Sequence, residues 1–196
     1  MNRIILIGGV PGTGKSTLAL TLAAKLGIDW LVSTDTIKET LKLFTTKEQS
    51  PILFSTTHEA WKFFGEKNKK NIIKGARSHS KLLFEILKHH IKNALAQGRT
   101  VLIEGAQILP EFYESAKSIS PNVAYFLLTL SDKEEHFKRF DSKNSKRSIV
   151  HDTWYKNFEN IMVINDWLID ECTKRNLRVI NNKNLKNSIR QIIQIL

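Results

Sequence analysis

Cysteine is nearly absent from the sequence. The single residue, Cys172, excludes an intramolecular disulfide and reads as a small apolar packing residue. Long apolar runs are absent too. Nowhere do about eighteen apolar residues follow one another, which excludes a membrane-spanning helix. An apolar strand pattern begins at Ile4, so no signal or transit peptide is expected and a cytoplasmic protein follows. No internal repeat or low-complexity tract occurs. The six histidines show no metal-ligand spacing on one element, and the neighbours His89 and His90 face different ways on a helix. Acids are scarce, with 19 Asp and Glu against 30 Lys and Arg, for a formal net charge of +11.

That excess is unevenly placed. Between Lys62 and Arg99 stand ten Lys or Arg against two acids, Glu66 and Glu85, so this segment carries eight of the eleven net charges. An anionic partner fits there, either a phosphorylated metabolite, with Arg77 a candidate substrate contact, or nucleic acid. A solvated lysine-rich face accounts for the same residues equally well. At 196 residues, 41% hydrophobic and 25% charged, the chain reads as a single globular domain over 1–196.

What the sequence does carry is concentrated near its start. Gly9, Val10, Pro11, Gly12, Thr13, Gly14, Lys15 and Ser16, followed by Thr17, match the Walker A pattern G-x-x-x-x-G-K-[ST] at every fixed position. The flanks are those the motif needs: Ile4, Ile5, Leu6 and Ile7 form a strand before it, and Leu18, Ala19, Leu22, Ala23 and Leu26 a helical face after it. Glycines let the backbone close around phosphate oxygens, and N–H groups at the helix start converge on the anion. Lys15 is expected on the β/γ-phosphates and Ser16 on Mg²⁺, so ATP and Mg²⁺ are the expected cofactors.

Further along, strands are expected at 28–33, 101–105, 123–130 and 178–181. A helix is expected over 37–44, capped by Thr34 or Asp35, with loop over 45–57 and a patchy helical stretch from His58. A firm amphipathic helix spans 80–97, with Leu83, Leu87, Ile91 and Leu95 on one face. Short helix after Pro110, a long helix over 152–175 and a closing helix over 185–196, with Ile189, Ile192, Ile193 and Leu196 inward, complete the pattern. Trp61, Trp154 and Trp167 read as packing residues. Strands alternating with helices predict an α/β fold, a three-layer α/β/α sandwich around a five-stranded parallel sheet of the P-loop NTPase, nucleoside monophosphate kinase-like kind. A helical lid over 132–153 and an acceptor-side helical region over 35–97 complete the expectation.

In such a sheet the site lies beyond the carboxyl ends of the strands. Asp35 ends the second strand, where an acid can take the proton of an acceptor hydroxyl; a plain helix cap is its structural alternative. Lys38, at i+3, shares its face, and Lys42 extends it. Glu104 ends the third strand, where an acid can serve Mg²⁺ or orient the acceptor. In the lid, Arg139 is the candidate catalytic cation and Arg147 a substrate-binding one, because guanidinium grips phosphate bidentately; a charged surface helix is the competing account.

Several blocks carry a resemblance. Ser33 to Lys42 (STDTIKETLK), Ser50-Pro51-Ile52-Leu53, Ser55-Thr56-Thr57, Glu59-Ala60-Trp61 and Ile103 to Pro110 (IEGAQILP) resemble the 2-phosphoglycerate kinase family. The late pattern Asn157-Phe158, Ile161, Ile164, Leu168 and Val179-Ile180-Asn181 is similar to it as well. The resemblance implies transfer of the γ-phosphoryl of ATP to 2-phosphoglycerate, with Asp35 and Lys38 on the acceptor side and Glu104 near metal and acceptor. Lysines at 38 and 42 stand where the family pattern favours arginine, and the chain has room for the kinase core alone. Competing expectations are a nucleoside monophosphate or polynucleotide 5′-hydroxyl kinase and, from another class, a nucleic-acid-binding ATP switch. The block Glu104-Gly105-Ala106-Gln107 lacks the Asp-Gly-aromatic-Pro-Arg pattern of adenylate kinases.

Overall fold

The computed structural model describes residues 2–145 and 158–196. Arg147, Trp154 and the later part of the expected lid lie outside the described residues. Five strands, β1 (Ile4–Gly8), β2 (Trp30–Ser33), β3 (Val101–Glu104), β4 (Val123–Thr129) and β5 (Arg178–Asn181), form one sheet in the order β2-β3-β1-β4-β5, every pair parallel. The helices are α1 (Lys15–Leu26), α2 (Thr34–Leu41), α3 (Lys69–Ala96), α4 (Pro110–Lys117), α5 (Lys133–Ser145), α6 (Phe158–Lys174) and α7 (Leu185–Ile195), with a 3₁₀ turn at Ala60–Phe63.

Alternation along the central strands builds two cores. Ile4 and Leu6 of β1 join Val101, Ile103, Tyr125 and Leu127 on the face covered by α3, α4 and α6. Ile5 and Ile7 join Leu102, Phe126 and Leu128 on the opposite face, under α1 and α7. Successive side chains of a strand point to opposite faces, so a continuous aliphatic run is what a sheet buried on both sides requires. Cys172 lies in the first core, where burial pushes its thiol up to about 12, as befits a packing residue. No helix among the described residues is long and apolar enough to cross a membrane.

Three expectations need correction. Helix α2 begins at Thr34, so Thr34 and Asp35 belong to its first turn; Ser33 is the N-cap residue and makes no side-chain cap bond. Helix α3 begins eleven residues before the expected start of 80, because Ile72, Gly75, Ala76 and His79 continue its buried face. Gly75 permits this, since a Cβ there would lie 2.4 Å from the Trp61 nitrogen. Ile193, expected inward, is 39% exposed. The first part of the expected helical lid is helix α5, docked on the P-loop as described below.

Candidate active site

Register places the ends of three strands side by side. Glu104 pairs with Ile7 of β1 on one side and Ser33 of β2 on the other. The chain leaves β1 into the loop 9–14 and leaves β2 directly into α2, so P-loop, Glu104 and Asp35 share one edge of the sheet. Glycine at 105 holds the last two close: a Cβ on Gly105, at φ +155°, would meet Thr34 Oγ1 at 1.6 Å.

The loop has the shape a phosphate cradle needs. Gly9, Gly12 and Gly14 take φ of 141°, 86° and 85°, values that L side chains disfavour. Lys15 Nζ donates to the Val10 carbonyl at 2.9 Å, which keeps the nearly buried ammonium within the curve of the loop. Thr13 Oγ1 donates to the same carbonyl at 2.9 Å. Ser16 Oγ donates to Glu104 Oε1 at 3.1 Å, so the two expected metal ligands are together. Glu104 is 5% exposed, and a hydroxyl with a carboxylate is a hard-oxygen pair suited to Mg²⁺. Among the described residues no cluster of three or more His, Cys, Asp or Glu could hold a metal ion.

Asp35 is exposed at the edge, and Lys38, one turn along α2, is largely covered, with Nζ 3.6 Å from Glu39. Behind them lies a buried polar network. Thr34 Oγ1 donates to Gln107 Oε1 at 2.5 Å, and Gln107 Nε2 donates to Thr57 Oγ1 at 3.2 Å. His79 Nδ1 is 3.1 Å from Thr57 Oγ1 and 3.4 Å from Gln107 Nε2. An amide N–H can only donate, so His79 Nδ1 is the acceptor and the imidazole is neutral. Burial, then the charge of Lys38, pushes the His79 pKa down to about 4, against a smaller opposing pull from Asp35. Burial likewise pushes His58 down to about 4. A narrow cleft lined by Val10, Pro11, Thr57, His58, Ala106, Ile161 and Ile164 runs between the P-loop and this network.

Two expected site residues are engaged elsewhere. Arg77 Nε donates to Glu111 Oε1 at 3.0 Å, Nη2 lies 3.7 Å from Glu171, and the guanidinium stacks on Trp167 at 5.0 Å. Both its carboxylate partners are on neighbouring helices, so Arg77 ties α3 to α4 and α6. Arg139 donates through Nε to Glu135 at 2.8 Å, through Nη1 to the Asn182 carbonyl at 2.8 Å and through Nη2 to the Lys183 carbonyl at 2.7 Å. It joins α5 to the connection after β5. The basic segment is also partly neutralised: Lys62, Lys67, Arg77, Lys88 and Arg99 pair with Glu59, Glu159, Glu111, Glu85 and Asp29.

The sequence pointed to no site role for His58, His79, Thr57, Gln107, His136 or Asn182, and offered Thr34 only as a helix cap. Four of them, Thr34, Thr57, Gln107 and Asn182, are single polar residues without a spacing signature. Thr34, Thr57 and Gln107 do lie inside the blocks that carry the family resemblance, the one signal that pointed to them.

The AAA domain pattern matches residues 5–162 of the chain. A protein named 2-phosphoglycerate kinase from Methanocaldococcus jannaschii is 28% identical over 98% of this chain and 62% of its own length. Another of that name, from Methanopyrus kandleri, is 31% identical over 98% of this chain and 60% of its own. The chain thus spans less than two thirds of these curated relatives. In fold it is similar to a shikimate kinase from Acinetobacter baumannii in complex with shikimate: TM-score 0.54, 16% identity, 100% of this chain and 92% of that one.

Proposed function

The chain belongs to the AAA domain family, and from that premise we propose that it is an ATP-dependent phosphotransferase whose acceptor is a small phosphorylated acid, with 2-phosphoglycerate the leading candidate and 2,3-bisphosphoglycerate the product. The observation that carries the reading is the meeting at one sheet edge of the P-loop, the Ser16–Glu104 pair and the Asp35–Lys38 face. The names of the relatives from Methanocaldococcus and Methanopyrus support the choice of acceptor.

Each part has a task. The N–H groups of the loop and Lys15 bind the β- and γ-phosphates of ATP and offset charge as the γ-phosphoryl departs. Ser16 and Glu104 would hold Mg²⁺, which would supply positive charge against the phosphates. Asp35 holds the acceptor hydroxyl in line and accepts its proton, the new P–O bond forming as the bond to the ADP oxygen breaks. Lys38 binds the acceptor's own phosphate or carboxylate. The buried Thr34–Gln107–Thr57–His79 network fixes the first turn of α2, and with it both residues.

The test is ADP release from Mg·ATP across 2-phosphoglycerate, other phosphorylated acids, nucleoside monophosphates and 5′-hydroxyl oligonucleotides. Stimulation by 2-phosphoglycerate with formation of the bisphosphate is expected. Stimulation by nucleoside monophosphates or oligonucleotides alone would overturn the acceptor assignment.

A further inference from the structure

Three carbonyls of the phosphate loop are tied down by side chains. Val10 O accepts from Thr13 and Lys15, Thr13 O accepts from Asn182 Nδ2 at 2.8 Å, and Pro11 O lies 2.7 Å from His136 Nε2. A carbonyl oxygen only accepts, so His136 donates through Nε2–H and its neutral form carries a lone pair on Nδ1. That Nδ1 is buried and makes no hydrogen bond among the described residues. His136 itself is fully buried, its ring edge-on to Phe158 at 5.4 Å.

A site that only needed filling between Phe158 and the loop would be served by an apolar ring without the cost of an unpartnered nitrogen. The bond to Pro11 O is what the imidazole adds. Its consequence follows from the geometry of the peptide unit. In a planar trans peptide the C=O of one residue and the N–H of the next point in opposite directions. Fixing the Pro11 carbonyl on α5 therefore aims the Gly12 N–H away from α5. Pro11 offers no N–H of its own, so Gly12 is the first donor after it. The Thr13 carbonyl, held by Asn182, sets the Gly14 N–H in the same way.

One helical turn beyond His136, Arg139 holds the Asn182 and Lys183 carbonyls. The bonds close a circuit: His136 joins α5 to the P-loop, Asn182 joins the P-loop to the connection after β5, and Arg139 returns to α5. We propose that His136 is a positioning residue for the nucleotide site, setting the Gly12 N–H through the Pro11 carbonyl, with Arg139 and Asn182 completing the brace. The inference rests on the P-loop taking a nucleotide phosphate and is independent of which acceptor is used.

The test compares His136→Phe, which keeps a buried ring and loses the donor, with His136→Gln, whose Nε2 replaces the imidazole Nε2. Binding of Mg·ATP and Mg·ADP is measured by calorimetry on the full chain, alongside thermal unfolding. The Phe variant is expected to bind nucleotide about tenfold more weakly with Tm little changed, and the Gln variant to recover most of that loss. Side-chain ¹⁵N spectra of the unsubstituted protein should show an Nε2–H tautomer at His136 whose resonances move as ADP is added. Unchanged affinity in His136→Phe, equal loss in both variants, or an Nδ1–H tautomer overturns the proposal, and the last reading needs no variant to fold. Nucleotide binding without transfer to any phosphorylated acid would remove the proposed acceptor and leave this comparison intact. A chain that bound no adenine nucleotide would overturn both.

Discussion

Ser16 and Glu104 meet across the ends of two adjacent parallel strands, Ser16 Oγ donating to Glu104 Oε1 at 3.1 Å. The pairing depends on register. Glu104 is level with Ile7, the residue before the last of β1, and the loop from Gly9 to Gly14 returns the chain to the same level at the start of α1. A carboxylate 5% exposed is costly unless a cation or hydrogen bonds satisfy it, and one serine hydroxyl leaves acceptor capacity for a hard cation.

Replacement of Glu104 by Gln keeps the size and a partner for Ser16 while removing the charge. The expected result is a fall in kcat of about a hundredfold, ~3 kcal/mol of barrier, with the Mg²⁺ concentration for half-maximal rate shifted upward. Tm is expected to hold or rise. A Mg²⁺ titration superimposing on that of the unsubstituted protein would remove Glu104 from the metal.

Lys15→Ala removes the one ammonium held within the loop. Loss of a charge aimed at developing phosphate charge is expected to lower turnover by about 10³-fold. Residual binding of ADP should survive, because the backbone N–H groups remain. Single-turnover measurements with saturating Mg·ATP give the comparison, and near-normal turnover would overturn the P-loop mechanism.

Asp35→Asn and Lys38→Ala separate the two acceptor roles. The first is expected to cut kcat by about 10²–10⁴-fold with ATP affinity nearly unchanged. The second is expected to raise KM for the acceptor by about tenfold or more, in line with loss of a charge-assisted hydrogen bond, while kcat moves less. If Asp35→Asn abolished ATP binding, Asp35 would be serving the nucleotide or the fold.

The sheet was legible in the sequence because its strands are short aliphatic runs bounded by glycine and polar residues, and the P-loop because its spacing is fixed by phosphate geometry. Elements whose burial depends on partners far along the chain were not. The part of α3 before residue 80 buries Gly75 and His79, residues that read as a break and as surface until the Ala60–Trp61 backbone and Gln107 are seen against them. Arg77 looked like a phosphate ligand because its charge is visible in sequence and Glu111 and Glu171, its partners, are 34 and 94 positions away. His136 and Asn182 act on backbone carbonyls, and a carbonyl has no sequence signature at all.

Gly105→Ala tests the junction of β3 and α2. The new Cβ would lie 1.6 Å from Thr34 Oγ1 and 2.7 Å from its Cβ, at a φ of +155°. Thr34 must then move, breaking its bond to Gln107 and displacing Asp35 on the same turn. Overpacking combined with backbone strain is expected to cost about 3 kcal/mol or more. Chemical denaturation measures it, and a stability within 1 kcal/mol of the parent would show that the junction is looser than these distances require.

His58 and His79 predict the acid limb of stability. Burial holds both near 4 in the folded chain, against 6.5 when exposed. The unfolded chain therefore binds protons between about pH 6.5 and 4 while the native chain does not, so stability rises with pH across that window and is complete above it. Each histidine contributes on the order of 3 kcal/mol that is lost by pH 4. Burial lowers His136 as well, which adds to the same slope. Burial opposes ionisation of Glu39, Glu59 and Glu171, but hydrogen bonds from lysine and, at Glu171, arginine outweigh it and draw them below 4.5, so they matter only at the acid end. Denaturant unfolding between pH 7.5 and 5 isolates the histidines. His79→Gln, which keeps an acceptor for Thr57 and cannot take the proton, is expected to flatten that slope by up to one proton. An equal slope in the variant would mean that His79 is protonated in the native chain, and the hydrogen bonds from Gln107 and Thr57 could not then be as the structure has them.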